Sequence, residues 1–320
     1  MTNIMIIGAG QLGSRHLQGA VQSKLPLNIF VVDPSSDSLE LAKSRASEIN
    51  FGNKGTQVEY QQTITSSTVI DICIIATTAN VRFQVFQDLI GGCSVRNVIF
   101  EKVLFQKEEE YKAVEELLAI NEINAWVNCP RRVFPAYQHV QSLLLNESNI
   151  SMTVTGSSWG LACNSIHFID IFSFLTRNCD YELDSSLLDE VVGSKRNGFY
   201  ETFGELSGRD KNKNIFHLCC PNDGNTNLEV KIETPRFKVI IKETEGKLIV
   251  NHKGLETVEL YQPLYQSQLT HLIIEEIVTL STSSLTSFAD SKKIHLPFIR
   301  SIKQHIESIL KERLDSCPIT

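Results

Sequence analysis

Over the first 130 residues, short β-branched runs alternate with amphipathic stretches. The apolar runs predict strands at Ile4–Ile7, Leu27–Val32, Val69–Ala76, Asn97–Glu101 and Asn124–Asn128. Between them, apolar positions recur at helical spacing near Gln11–Gln22, Ser38–Ile49, Val81–Leu89 and Lys107–Ile120. Such alternation implies a parallel sheet with helices on both faces. The run Ile70, Ile72, Cys73, Ile74, Ile75, Ala76 is apolar at nearly every position, as a central strand buried on both sides requires. In the fourth helix Val114, Leu117 and Leu118 share a face, while Glu108, Glu109, Glu110, Glu115 and Glu116 read as its solvated side and not as a metal site.

After about Arg132 the pattern changes to strands joined by short turns. Ile150–Ser157, Tyr200–Leu206, Ile215–Cys220, Leu228–Thr234, Phe237–Lys242 and Leu248–Asn251 alternate as half-buried strands, with turn signals such as Asn222-Asp223-Gly224-Asn225 between them. Short connections make a mostly antiparallel sheet. Helices are predicted at Asn164–Leu175, Gln266–Leu280 and Pro297–Leu314. The fold class expected is therefore α/β: an N-terminal Rossmann-like doubly wound sheet over residues 1–130, then a C-terminal α+β domain over 131–320 with an open, mostly antiparallel sheet. A last helix able to pack back on the first domain completes it.

Composition narrows the function. A chain of 320 residues with 42% hydrophobic and 21% charged residues has the make-up of a two-domain globular protein. The net charge of −7, with Lys and Arg scattered, gives no footprint for nucleic acid. No apolar run approaches the roughly 18–20 residues that span a bilayer, and residues 1–10 read as strand and turn, so a cytoplasmic location without membrane contact is expected. The eight cysteines show no metal-ligand spacing and form no disulfide framework in a chain this long.

The first strand runs into Gly8-Ala9-Gly10-Gln11-Leu12-Gly13, and a helix follows directly. In this motif the first glycine makes the tight turn, the second lets a pyrophosphate approach the backbone, and the third lets helix and strand pack closely. Asp33, ending the second strand, stands about 20 positions on, where a carboxylate accepts the hydroxyls of an adenosine ribose. It also repels a 2′-phosphate, which favours NAD, with NADP possible through the small hydroxyls of Ser35 and Ser36. A methyl-donor site also follows a glycine turn, but the fifth strand argues against it, because it ends in Glu101-Lys102 at the edge where open α/β sheets place ligands.

The sequence resembles the family of glucose-fructose oxidoreductase, inositol dehydrogenase and MocA. The matching pieces are the glycine motif, Ala76-Thr77-Thr78-Ala79-Asn80, Phe100-Glu101-Lys102, Arg131-Arg132-Val133-Phe134-Pro135 and Asn164-Ser165-Ile166-His167-Phe168-Ile169-Asp170, in family order over nearly the whole chain. The resemblance implies a nicotinamide cofactor, a sugar-like or polyol substrate, and a homodimer or homotetramer formed through the open sheet. It places Lys102 at the nicotinamide and the reacting hydroxyl, makes His167 the general acid or base, and lets Asp170, one turn on, orient the imidazole or bind a substrate hydroxyl. Gly8, Gly10, Gln11, Leu12, Gly13, Asp33, Thr77, Asn80, Glu101 and Lys102 are the expected cofactor contacts, and no metal is expected. Arg131 and Arg132 are candidates for an anionic substrate such as a nucleotide-linked sugar, or else for an interdomain salt bridge. Trp126 and Trp159 read as packing.

Two positions depart from the family. Val103 replaces the proline after the lysine; a cis bond before a non-proline residue costs about 2.5–4 kcal/mol, so a trans bond, or one held by its surroundings, is expected. Cys163 stands where the family often has an Asp four residues before the histidine, which shifts the chemistry onto Lys102 and His167. These departures keep open a non-catalytic NAD(P)-binding sensor, and, because related folds serve such chemistries, a reductase of a non-sugar substrate such as an imine or a cyclic tetrapyrrole is a further alternative.

Overall fold

The computed structural model describes residues 1–65 and 69–320. The chain divides into two compact units, Met1–Pro130 with Leu264–Ala289, and Arg131–Pro263 with Asp290–Thr320. The sequence pattern suggested one division near residue 130; the first unit also takes in a later segment.

In the first unit the strands are β1 (Thr2–Ile7), β2 (Leu27–Val32), β3 (Gln57–Gln61), β4 (Val69–Ile75), β5 (Ser94–Glu101) and β6 (Asn124–Asn128). They are parallel, in the order β3-β2-β1-β4-β5-β6. The helices between them are α1 (Gly13–Ala20), α2 (Ser36–Ser47), α3 (Ala79–Gly92) and α4 (Glu108–Ile120). Ile72, Cys73, Ile74 and Ile75 of β4 are buried, as a strand covered on both faces must be. The sheet order reverses between β1 and β4, which opens a crevice at the carboxyl ends of these strands.

In the second unit α5 (Pro135–Leu143) leads to β7 (Ser151–Thr155) and α6 (Leu161–Thr176). Then follow β8 (Tyr181–Asp184), β9 (Leu188–Gly193), β10 (Tyr200–Asp210), β11 (Ile215–Cys220), β12 (Glu229–Glu233), β13 (Phe237–Lys242), β14 (Lys247–His252) and β15 (Leu255–Leu260). Among the described residues these form a nine-stranded sheet in the order β15-β14-β13-β12-β7-β11-β10-β8, with β9 paired to β10. Every pairing is antiparallel except β7 with β11. Alternation places Met152, Val154, Phe216, Leu218, Val230 and Ile232 in the core, and α6 packs on β10 and β11.

The chain then returns to the first unit as α7 (Gln266–Leu280) and the short β16 (Thr286–Ser287), which pairs antiparallel with β6. The return is fixed by close packing on α1: a Cβ on Gly19 would lie 2.7 Å from the Cβ of Thr270. The last helix, α8 (Phe288–Leu310), starts well before Pro297, which lies inside it. Proline suits a helix start, but here it is tolerated in the interior, and the described part of the helix from Asp290 onward belongs to the second unit. Among the described residues no helix is long and apolar enough to cross a membrane.

Candidate functional site

At the crevice of the first unit, β1 leaves the sheet through Gly8, whose φ of +92° suits glycine. A Cβ on Gly13 would sit 1.6 Å from Gly8 O, so only glycine lets α1 begin this close to β1. A Cβ on Gly10 would meet nothing within 4 Å, which leaves open space over the middle of the loop. Leu12 flanks the start of α1. The Asp33 carboxylate accepts from Ala9 N at 2.7 Å and from Ser35 N at 2.8 Å, tying the end of β2 to the loop. Ser35 Oγ accepts from Ser38 N as the N-cap of α2. From α2, Arg45 reaches Gln11 O (3.0 Å), Gln11 Oε1 (2.6 Å) and Ser14 Oγ (2.6 Å), so Gln11 is held by a guanidinium that nothing in the motif announces.

The ends of β4 and β5 supply the other residues expected at a cofactor. Thr77 Oγ1 is buried with no hydrogen-bond partner among the described residues, and Asn80 is exposed on α3. Glu101, expected among the cofactor contacts, has its carboxylate turned into the protein at 3% exposure. There it meets His16 Nε2 at 2.8 Å and Asn128 Nδ2 at 2.5 Å. Burial alone would raise its pKa, but the hydrogen bonds and charge of His16, the bond from Asn128 and the Arg82 charge outweigh it and hold the carboxyl below the usual range. His16 continues to Thr270 Oγ1 at 3.0 Å, and Asn128 to Gln266 Oε1 at 2.8 Å, both on α7. The Lys102–Val103 peptide bond is cis. Lys102 is half-buried while Glu101 and residues 103–106 are buried, which makes it the accessible side chain of this turn.

In the second unit, His167 lies on α6 in a stripe of half-buried positions with Cys163 and Asn164 on an otherwise buried stretch of helix. Asp170 is committed elsewhere: its carboxylate takes Arg132 Nε at 2.9 Å and Nη2 at 2.8 Å, with the pair almost wholly buried. Arg131 makes the matching bidentate pair with Glu243, at 2.8 and 3.0 Å, and stacks 4.5 Å over the Phe168 ring. Tyr137 Oη also donates to Glu243 at 2.6 Å. Burial would raise the Glu243 carboxyl, yet Arg131 and Tyr137 hold it below its ordinary value. Both arginines thus join the turn at Pro130–Val133 to other parts of their own unit. Trp126 is buried in β6, and Trp159 donates to Cys219 O and packs on Phe168.

His16, Arg45, Arg82, Asn128 and Gln266 escaped sequence reasoning. Their partners lie tens to hundreds of positions away or are backbone atoms, which carry no residue-type signal.

No family model and no curated protein matches the sequence. Solved structures do. An oxidoreductase from Agrobacterium radiobacter in complex with NAD+, L-tartaric acid and magnesium superposes with a TM-score of 0.72 at 14% identity, over 93% of this chain and 94% of that one. A Gfo/Idh/MocA family oxidoreductase from Vibrio cholerae gives 0.67 at 13% identity, over 98% and 100%. The chain has the Gfo/Idh/MocA fold. With the same fold, a UDP-N-acetylglucosamine 3-dehydrogenase from Acidithiobacillus ferrooxidans superposes at 0.69 and 13% identity, over 97% and 99%.

The crevice of the first unit has features suited to a dinucleotide. The open space over Gly10 matches a pyrophosphate approaching the backbone, the Asp33 carboxylate has acceptor capacity beyond its two backbone bonds, and the unpartnered Thr77 hydroxyl awaits a polar neighbour.

Proposed function

We propose that the protein is an NAD-dependent oxidoreductase acting on a secondary alcohol or ketone of a sugar, polyol or nucleotide-linked sugar. The observation that carries this reading is the Asp33 carboxylate anchored to the glycine loop at the end of β2, beside the open space over Gly10. A ribose 2′-hydroxyl can donate to that carboxylate, whereas a 2′-phosphate would be repelled. The bonds from Ala9 and Ser35 hold Asp33 in place and Ser35 Oγ is engaged as a cap, which supports NAD over NADP.

When bound, the nicotinamide donates or accepts a hydride at its ring carbon. Lys102 Nζ stabilises negative charge developing on the substrate oxygen, and His167 takes up or returns the hydroxyl proton. Asp170 acts one step removed: its ion pair with Arg132 fixes the middle of α6, the helix that carries His167. Arg131 and Arg132 are held by Glu243 and Asp170, so the hydroxyl groups of the substrate, and not a charge pairing with these two arginines, are the proposed determinants of recognition. The sugar-nucleotide and tartrate named for the two enzymes of the same fold are polyhydroxylated molecules of the kind to screen first.

The first test is titration with NADH and NADPH, followed by nicotinamide fluorescence. NADH binding clearly tighter than NADPH supports the reading; binding of neither removes it. A panel of sugars, polyols and sugar nucleotides then tests turnover. Cys163 in the accessible stripe beside His167, where the family often has a carboxylate, favours a second reading: a sensor that binds NADH and turns over nothing in the panel. A homo-oligomer is also proposed, on the open nine-stranded sheet with its exposed Leu255, Val258 and Leu260, and light scattering would give a multiple of 36.0 kDa.

A further inference from the structure

Arg82, on the first turn of α3, is 1% exposed, the largest wholly buried side chain of the described residues. The two terminal nitrogens of its guanidinium face backbone carbonyls. Nη1, whose two N–H groups are shared among three carbonyls, lies 2.8 Å from both Glu101 O and Leu104 O and also against Val103 O, while Nη2 donates to Thr77 O. One side chain therefore fastens the turn after β5 to the turn after β4. Three of its four acceptors flank Lys102, and the fourth is the residue whose hydroxyl lacks a partner. Burying a guanidinium carries a desolvation penalty that its partners must offset, although buried Val103, Leu104 and Phe105 already anchor the turn.

We propose that Arg82 is a positioning residue: it holds the backbone that presents Lys102 and Thr77 in one arrangement at the nicotinamide half of the dinucleotide site. The inference rests on the oxidoreductase reading and adds to it a residue that touches neither cofactor nor substrate. The planar fork is what suits Arg to the task, since its donors diverge toward two turns at once. A lysine carries the same charge, but its three donors converge on one point and serve one turn or the other. The adenosine half of the site, at Asp33 and Gly8–Gly13, has no bond from Arg82 among those described.

The test compares wild type with Arg82→Lys for binding of NADH and of ADP-ribose, which lacks the nicotinamide, alongside thermal melting and turnover. The expected result is a folded variant that binds ADP-ribose within about twofold of wild type and NADH about tenfold more weakly, because both turns at the nicotinamide half shift together and not one side chain alone. Its kcat falls about 10- to 100-fold, more than KM changes, as misplaced reacting groups require. If NADH and ADP-ribose weaken in step, or neither weakens, Arg82 is only a structural tie and the proposal fails while the oxidoreductase reading stands. If wild type binds neither molecule, that reading fails and takes the proposal with it. Should the lysine variant not fold, hydrogen exchange of wild type decides: amides of residues 77–82 and 101–106 are expected to open together and gain protection from NADH but not ADP-ribose. Independent opening, or equal protection by both, overturns the proposal.

Discussion

Replacing Lys102 with Met removes the ammonium from the accessible position of its turn without touching the glycine loop. The expected outcome is NADH affinity near wild type with kcat lowered about 10²- to 10⁴-fold, the usual contribution of a positioned acid or base; unchanged turnover in steady-state assays removes Lys102 from the chemistry. Asp170→Asn probes a different property. It breaks an ion pair whose carboxylate is 1% exposed, leaving Arg132 with a neutral partner. Losing a buried pair by removing one charge costs about 3–5 kcal/mol, so urea denaturation should show a large drop in midpoint. The glycine loop and Asp33 were legible because their roles come from local spacing. The commitments of Glu101 and Asp170 were not, because each carboxylate is claimed by a residue 27 to 85 positions away.

At the scale of elements, tight helix contacts make clear predictions. Gly19→Ala would place a methyl group 2.7 Å from the Thr270 Cβ, forcing α1 and α7 apart. A cost of about 1–3 kcal/mol is expected for such overpacking, read by thermal melting. The elements also respond to acid. Glu101 and Glu243 both have folded-state pKa values below the ordinary 4.5. The stability they contribute is therefore fully present above about pH 4.5 and is lost as pH falls through the lowered values. Denaturation midpoints for Glu243→Gln should be lower than wild type at pH 7 and converge with it in acid. Strands with clean alternation, such as β11 and β13, were predicted to the residue. β15 was invisible because all six of its residues are exposed, so no apolar face marks it. β8 and β9 are half-exposed for the same reason, and α5 starts at Pro135, a residue that reads as punctuation until the helix behind it is seen.

For the whole molecule, the two fold classes were readable because the period of the hydrophobic pattern changes near residue 130. What the pattern could not carry was membership: Leu264–Ala289 has helical spacing wherever it packs, and tertiary contacts such as Gly19 with Thr270, Asn128 with Gln266 and the pairing of β16 with β6 assign it to the first unit. A fragment of residues 1–130 lacks the α7 side chains that complete the His16, Glu101 and Asn128 network. It should melt at a lower temperature than the same fragment with residues 264–289 joined to it, and equal melting would show the segment to be dispensable.

The same return has a consequence during synthesis. A ribosome that has released residue 130 has 159 more to add before Ala289 emerges, roughly 8–30 s at ordinary elongation rates. Through that interval the nascent first unit has neither its edge strand nor the helix that covers Gly19, so the part of the protein made first is completed late.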